Sequence, residues 1–442
     1  MESQSCFRDH LSILERSGLL LRVKKEVNPD YEVAALIKKA AGIGKAILFE
    51  QVKGKNHRVA ANVAGSRKML SLALSSKGES FLEELSKRVS RDFGVKLVQN
   101  APVQQVVEDA SKIADLPLLT HFERDGGKYI TAGTVIAKDP DSGFRNSSFN
   151  RMMIRNDTKM GIRMMPPQHL GLIQSKAEAK RKNLEVAVVL GNHPAEMLAS
   201  SSLLPFGKDH LNFASSLRGE TLEVVKCKTV DLEVPANAEI VIEGEIEAEV
   251  REEEGPFGEF MDYYVDRNKN HVLKIRAITH RFDYIYQGLL CGSKEDLGIL
   301  SLARELLLYN VLKNGGYDVK DVSLMPFLFN GLISLRKRFD GEPKNAMMAA
   351  FGAYSWLKYC VVVDDDVDIH DLGDVWWALG TRSQPEKGTL SISDALGFPR
   401  KDKSAIHRGK LGLDATKPME MRSEFERKKI PGEEDIDLSD YL

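Results

Sequence analysis

Glu254-Gly255-Pro256-Phe257-Gly258-Glu259 is the stretch around which the rest of the chain is organised, with Asp262, Tyr263 and Tyr264 close behind. Proline fixes one backbone dihedral and the flanking glycines admit conformations closed to other residues, so the segment reads as a tight, shaped turn. It cannot be the interior of a helix or of a central strand. A carboxylate on each side of such a turn is held at a set separation, one as proton donor and one as partner to a cation. Taken alone, the stretch reads first as a surface hairpin with solvated acids. The argument for chemistry comes from the residues elsewhere that answer to it.

Outward from the turn, Ile240 to Val250 and Val272 to His280 alternate as strands. Further strand-like runs lie at Tyr129 to Ala137, Ser148 to Ile154, Leu184 to Leu190 and Leu222 to Cys227, separated by turn signals such as Asp125-Gly126-Gly127. Many short strands at this spacing predict a barrel-like or split-barrel middle domain. Before it, helices at Phe7 to Arg16, from Pro29 to Ala41 and at Glu79 to Phe93 alternate with strands at Leu20 to Val27, Ile47 to Phe49 and Arg58 to Val63. That alternation predicts an α/β unit.

After it, a helix from Gly298 to Lys313, ended by Asn314-Gly315-Gly316, leads to a second α/β unit. Its strands are expected at Val322 to Leu328, Leu332 to Leu335 and Tyr359 to Val363, and its helices at Asn345 to Phe351 and Leu372 to Leu379. Beyond about Gly380 the chain is rich in Lys, Arg and Gly and reads as an arm with little core, suited to lying on a partner subunit. The expected architecture is α+β / α/β and multidomain: residues 1–115, a split barrel over 116–295, a linking helix over 296–316, and an α/β domain with a tail over 317–442.

The 442 residues are too many for one core, and 43% hydrophobic content suffices for two or three. The 62 basic and 64 acidic side chains leave a net charge of −2, which excludes the electrostatic footprint of a nucleic-acid binder. Cys6, Cys227, Cys291 and Cys360 lie far apart, in no disulfide or zinc spacing, and suit a reducing cytoplasm. The absence of an 18-residue apolar run or a signal peptide argues for a protein that is neither membrane-bound nor exported.

The second informative stretch is Asn146-Ser147-Ser148-Phe149-Asn150-Arg151, followed by Gln168-His169. On one strand from Ser148 to Ile154, Arg151 shares a face with Phe149 and Met153, which is costly unless an acid pairs with it. Glu254 or Glu259 is the expected partner. An arginine between two glutamates keeps one ionised and leaves the other free to act as an acid, although a surface ion pair is the competing reading. Asn146, His169 and His210 offer the oxygen and nitrogen donors that hold Mn²⁺ or Mg²⁺ against a phosphate. The small hydroxyl run Ser200-Ser201-Ser202 reads by itself as a helix cap. Asp364-Asp365-Asp366-Val367-Asp368 reads as turns and helix caps in preference to a metal site.

With these residues in hand, the chain resembles the UbiD family of prenylated-flavin decarboxylases. The likeness is carried by Asp125-Gly126-Gly127-Lys128-Tyr129-Ile130, the Asn146 to Arg151 spacing, Gln168-His169, Ala199-Ser200-Ser201, Leu222 to Cys227, the Glu254 to Glu259 turn and Val361 to Asp368. The resemblance implies prenylated FMN as cofactor, bound by Asn146, Ser148, Phe149, Arg151, Gln168, His169, Ser200 and Ser201. It implies a metal, Mn²⁺ or another divalent cation, on Asn146, His169 and His210, with K⁺ as a further ion, and a catalytic set of Arg151, Glu254 and Glu259. The family's chemistry is addition of an ylide-like flavin across a substrate double bond, loss of CO₂ and protonation, which by analogy falls to Glu259.

A flavin prenyltransferase as supplier of the cofactor and a homo-oligomeric assembly follow from the same likeness. Two departures stand out. His210 occupies the position where the family commonly has a glutamate ligand, and no lysine matches the phosphate-gripping one before Val361. The compact chain, with Arg155, Lys159, Arg163 and Lys208 near the expected pocket, is similar to the archaeal enzymes that decarboxylate trans-anhydromevalonate 5-phosphate towards isopentenyl phosphate. The alternative is an aromatic, hydroxybenzoate-type acid.

Overall fold

The computed structural model describes residues 6–76, 80–164, 168–398 and 408–441. It divides into two compact units, Met1–Leu307 with Met325–Leu328, and Leu308–Leu324 with Phe329–Leu442. The fold class is the mixed, multidomain one that the alternation of elements predicts.

The first unit is built on a nine-stranded sheet. Its strands run in the order Tyr129–Ile130, Met152–Asn156, Lys159–Ile162, Asn268–His280, Ile240–Glu254, Leu184–Leu190, Thr134–Lys138, Arg145–Phe149, with Val106–Asp109 also paired to Asn268–His280. Alternation puts Val186, Val188, Leu190, Ile240, Ile242, Ile246, Leu273 and Ile275 into one core. Strands Ile240–Glu254 and Asn268–His280 form a long hairpin whose register ends at Glu254 opposite Asn268. The Gly-Pro-Phe-Gly turn therefore sits at the tip of that hairpin, and a small inner ladder, Phe257–Gly258 on Tyr264–Val265, carries Glu259 beyond it.

A second sheet, in the order Leu20–Val23, Ala46–Phe49, Arg58–Ala61, Ile285–Gly288, shows the chain returning from the middle sheet to finish the N-terminal one. Helix Phe7–Arg16 covers it with Phe7, Leu11 and Leu14, packed on Ala46, Leu48 and Ala60. The helix expected from Glu79 runs Phe81–Val89, and Glu79 itself lies outside the described residues.

His10 is buried on the covering helix, its Nε2 2.7 Å from the Val63 carbonyl, and burial pushes its imidazole down to about 4. The unfolded chain binds a proton there near pH 6.5 and the folded chain does not until about pH 4. Stability is therefore lost as pH falls through that window. Replacing His10 with Gln, which keeps an N–H donor, is expected to reduce the loss between pH 7 and 4.5 by about 2–3 kcal/mol, measured by urea denaturation at each pH.

Three strand placements need correction. The run Ser148 to Ile154 is two strands, Arg145–Phe149 and Met152–Asn156. The first pairs with Thr134–Lys138 and the second with Lys159–Ile162, so the chain must leave one ladder for another, and Asn150 and Arg151 make the crossing. Tyr129 to Ala137 is likewise split into Tyr129–Ile130 and Thr134–Lys138. At Gly133, between them, any Cβ would lie 2.8 Å from both Met152 Cε and Val188 Cγ1. The strand placed at Val322 to Leu328 runs Val319–Ser323 and stops before Pro326.

The second unit is a five-stranded sheet in the order Val319–Ser323, Asn330–Leu335, Tyr359–Val363, Lys410–Ala415, Thr389–Ile392, with helices Glu342–Ala353 and Leu372–Arg382. The stretch beyond Gly380, expected as an arm, thus supplies a strand flanked on both sides. Lys410 is accommodated because its Nζ donates to the carbonyls of Ser355 and Leu357 at 2.8 and 2.7 Å. Among the described residues no helix is long and apolar enough to cross a membrane, and the four cysteines are unpaired.

Candidate active site

Two motifs distant in sequence meet at the hairpin tip. Gly126 N–H donates to the Pro256 carbonyl at 2.7 Å, and the Asp125 carboxylate accepts from Gly258 N–H at 2.9 Å and Phe122 N–H at 3.0 Å. Only glycine fits at 126, since a Cβ there would lie 2.3 Å from the Gly255 carbonyl oxygen; Gly255 itself needs φ +99°. Asp125-Gly126-Gly127 is therefore the buttress that holds the turn.

Against this turn lies Arg151. Its Nε and Nη2 donate to Glu254 at 3.1 and 2.9 Å, its Nη1 donates to Glu259, and its guanidinium sits 4.5 Å from the centre of the Phe257 ring. Glu254 is fully buried and accepts a further bond from Asn270 Nδ2 at 2.7 Å, while the Glu259 side chain keeps 17% exposure. The structure thus joins Arg151 to both candidate acids, and the more exposed of the two is Glu259. Burial alone would push Arg151 down; the charges of Glu259 and Glu254 outweigh it and hold the cation above its ordinary value. Phe257 also packs at 4.5 Å against the buried Tyr129, whose phenol burial and the Glu254 charge raise.

A second guanidinium reaches the same acid: Arg163 Nη1 donates to Glu259 at 2.8 Å. Burial and then Arg151 push Arg163 below its usual value. The half-buried Cys291 thiol and Asp296 carboxyl bear on each other and on Glu259, and loss of hydration raises Asp296 to about 6. Sequence reasoning noted Arg163 only as a basic residue and passed over Asp296. The signal for the first was a charge next to the apolar Met160-Gly161-Ile162 run; for the second there was none beyond an acid at a helix start. The other extra cations are occupied or peripheral: Arg155 bridges to Glu252 at 2.9 Å, Lys159 to Glu247 at 3.0 Å, and Lys208 is exposed.

The candidate metal ligands come together at the other end of the same segment. Strand Arg145–Phe149 is packed by the helices His169–Ala179, Pro194–Ser201 and His210–Arg218. Arg145 ties to Asp209 at 2.7 Å, beside Asn146 and His210. The rings of His169 and His210 stand edge to face, 6.2 Å apart. Asn146 Nδ2, His210 Nδ1 and Ser201 Oγ are all buried without a hydrogen-bond partner. Polar atoms so buried are normally satisfied, so their being left over is what a missing ligand would explain, and the residues fit a metal and phosphate. Among the described residues no three His, Cys, Asp or Glu side chains gather as a metal cluster; two imidazoles and an amide make the available set. Burial and His169 lower His210 to about 4, which leaves a neutral, metal-competent ring.

Of the remaining candidates, Ser200 is buried and bonds Ser147 Oγ at 2.7 Å, and Ser148 Oγ donates to Asn150 Oδ1 at 2.8 Å. Phe149 is half-buried against the core, and Gln168 is exposed at the start of its helix.

Three domain descriptions of 3-octaprenyl-4-hydroxybenzoate carboxy-lyase match the chain in order: N-terminal over residues 11–89, Rift-related over 96–294 and C-terminal over 298–415. The chain belongs to the UbiD family of carboxy-lyases. The anhydromevalonate phosphate decarboxylase of Methanosarcina mazei is 36% identical over 432 residues, 97% of this chain and 100% of that protein. The phenolic acid decarboxylase of Bacillus subtilis is 33% identical over 439 residues, 93% of this chain and 92% of that one. The solved UbiD-class enzyme HmfF from Pelotomaculum thermopropionicum in complex with FMN superimposes with a TM-score of 0.94 at 41% identity, covering 99% of this chain and 100% of that chain. An evolved dimeric form of HmfF in complex with prFMN gives 0.91 at 40% identity, with both chains fully covered.

Proposed function

We propose that the chain removes CO₂ from an α,β-unsaturated carboxylic acid with the help of prenylated FMN. The observation that carries this reading is Arg151 held between Glu254 and Glu259 over the Phe257 ring. Asn146, His169 and His210 would hold the flavin phosphate through Mn²⁺ or another divalent cation, with Ser200 and Ser201 near it and K⁺ as a further ion. Two neutral imidazoles suit borderline metals as well as Mn²⁺. When bound, the modified flavin supplies the electron sink that a carboxylate leaving an sp² carbon requires and that no side chain provides.

What the protein's own residues do follows from their charges. Arg151 orients the substrate carboxylate; Glu254, fully buried and bidentate, keeps that guanidinium charged and aimed. The net reaction, R–COO⁻ + H⁺ → R–H + CO₂, needs one proton per turnover delivered to carbon. Glu259 is the acid best set to deliver it, being the partly exposed member of the pair.

The substrate favoured by the relatives is trans-anhydromevalonate 5-phosphate, giving isopentenyl phosphate. The similarity to a phenolic acid decarboxylase supports a second reading, an aromatic acid of the hydroxybenzoate type. With Arg155, Lys159 and Arg163 all paired to acids, the exposed Lys208 and any cation that changes partner on binding are what argue for a phosphorylated substrate. A flavin prenyltransferase as supplier, a cytoplasmic setting and a homo-oligomer belong to the same proposal; the dimeric form of HmfF supports the last. The test is cofactor-loaded enzyme offered each acid, with products followed by mass spectrometry. Isopentenyl phosphate is expected; turnover of aromatic acids alone would move the second reading to the front.

A further inference from the structure

We propose that Arg163 is a second carboxylate-docking residue, one that lets go of Glu259 when that acid is protonated and takes an anionic group of the substrate. The inference rests on the decarboxylase reading above.

The backbone of Arg163 is locked to the connector that bears the catalytic arginine. Its N–H donates to the Arg151 carbonyl at 3.4 Å, and its own carbonyl accepts from Asn150 Nδ2 at 2.9 Å. The two backbones are therefore tied together, so a change of partner at Glu259 is made by the side chain alone. Both address the same oxygen of Glu259. Arg151 commits Nε and both Nη atoms to two acids and is 9% exposed, whereas the Arg163 side chain is 25% exposed.

Charge decides the rest. Arg151, Arg163, Glu254 and Glu259 together sum to zero. A proton donor must carry its proton when it acts, so Glu259 has to be neutral with substrate bound. That leaves one positive charge, which a substrate carboxylate cancels. Without Arg163, the same state would hold one negative charge uncompensated in a mostly buried cluster, an expensive arrangement. Asp296 and Cys291, whose charges bear on Glu259, cannot supply the missing positive charge, and Asp125 and Tyr129 on the flanking segment are acids too; Arg304 acts on Asp296 and donates to the carbonyls of Ser201 and Leu300. Arg163 thus makes carboxylate binding and protonation of Glu259 favour each other. When neutral CO₂ has left and the Glu259 proton has moved to carbon, Glu259 is ionised again and recaptures Arg163. Its next proton comes from water.

The test needs no turnover. Flavin-loaded, full-length protein is titrated calorimetrically with 3-methylbutanoate and with cyclohexanecarboxylate, saturated acids that have no double bond to react. The titrations are run near pH 7 in two buffers of different ionisation enthalpy. Wild type is expected to take up more than roughly half a proton per carboxylate bound. Arg163→Gln is expected to bind at least about tenfold more weakly with proton uptake near zero, and Arg163→Lys to regain most of the affinity. In turnover, Arg163→Gln should raise KM far more than it lowers kcat. Circular dichroism of both variants checks that the fold is kept. If wild type binds neither acid or takes up no proton, or if Arg163→Gln matches it, the proposal is overturned. Failure of the decarboxylase reading would appear separately, as no CO₂ from any unsaturated acid while proton-linked binding persists.

Discussion

Glu259→Gln is expected to lower kcat by roughly 10²–10⁴-fold, the usual worth of a positioned proton transfer, with flavin binding and fold retained. The substitution keeps the shape of the side chain and an oxygen for Arg151 and Arg163 to address, and removes the acid. Arg151 should stay where it is, because Glu254 holds it through two bonds at 3.1 and 2.9 Å and Phe257 lies under its guanidinium. Substrate binding should therefore be kept or tightened, since a neutral residue at 259 releases Arg163, while the chemical step slows. Single-turnover CO₂ release, read beside the flavin spectrum and the melting temperature, separates these effects. A variant with near-normal turnover would strip Glu259 of its role; one that lost its fold would show that the acid is mainly a structural partner of the two arginines.

The central pairing was legible before any coordinates because the residue types left few options. An arginine in an apolar run needs an acid, and a Gly-Pro-Phe-Gly turn flanked by glutamates offers two, although the partners lie 103 and 108 residues away. What the sequence hid was the route of the backbone. Ser148 to Ile154 reads as one strand, since nothing in Asn150-Arg151 announces that the chain changes ladders there. Only the competing partners, Thr134–Lys138 on one side and Lys159–Ile162 on the other, impose the break. That break is what frees Arg151 to leave the sheet and reach the hairpin tip.

Lys410–Ala415 was hidden for a different reason. Lys410 and Gly412 look like arm residues, yet Gly412 sits where a Cβ would lie 2.3 Å from Met347 Sδ, and Lys410 ends on two backbone carbonyls. Close packing and snorkelling invert the usual reading of both residue types. Arg163 was visible only as a charge. Its partner could not be inferred, because Glu259 was already spoken for by Arg151.

Arg382→Leu is expected to destabilise the second unit by roughly 3–5 kcal/mol, through the acids it leaves behind. The acidic run after Tyr359–Val363 is not the N-terminal cap of the following helix; Asp371 is, accepting from Gly373 N–H. Asp364 and Asp366 instead reach the other end of that helix, where Arg382 Nη1 meets them at 3.0 and 2.8 Å and Nη2 meets Asp366 at 2.8 Å. Lys417 Nζ adds a bond to Asp366 at 2.7 Å, and Asp365 turns outward to Arg336. Arg382 and Asp364 side chains are each 1% exposed, so removing the cation strands a carboxylate that water cannot reach. The paired Asp366 is drawn down to about 2 by Arg382 and Lys417 against the effect of burial, whereas burial wins at Asp364 and raises it. The same logic makes Asp366→Asn a stability variant. Its activity should fall only with the folded fraction, and hydrogen exchange should quicken across Tyr359–Val363 and Leu372–Arg382. A metal centre on this acidic run would give the opposite result: unchanged protection, abolished activity, and a melting temperature that rises when Mn²⁺ is added to the wild type alone.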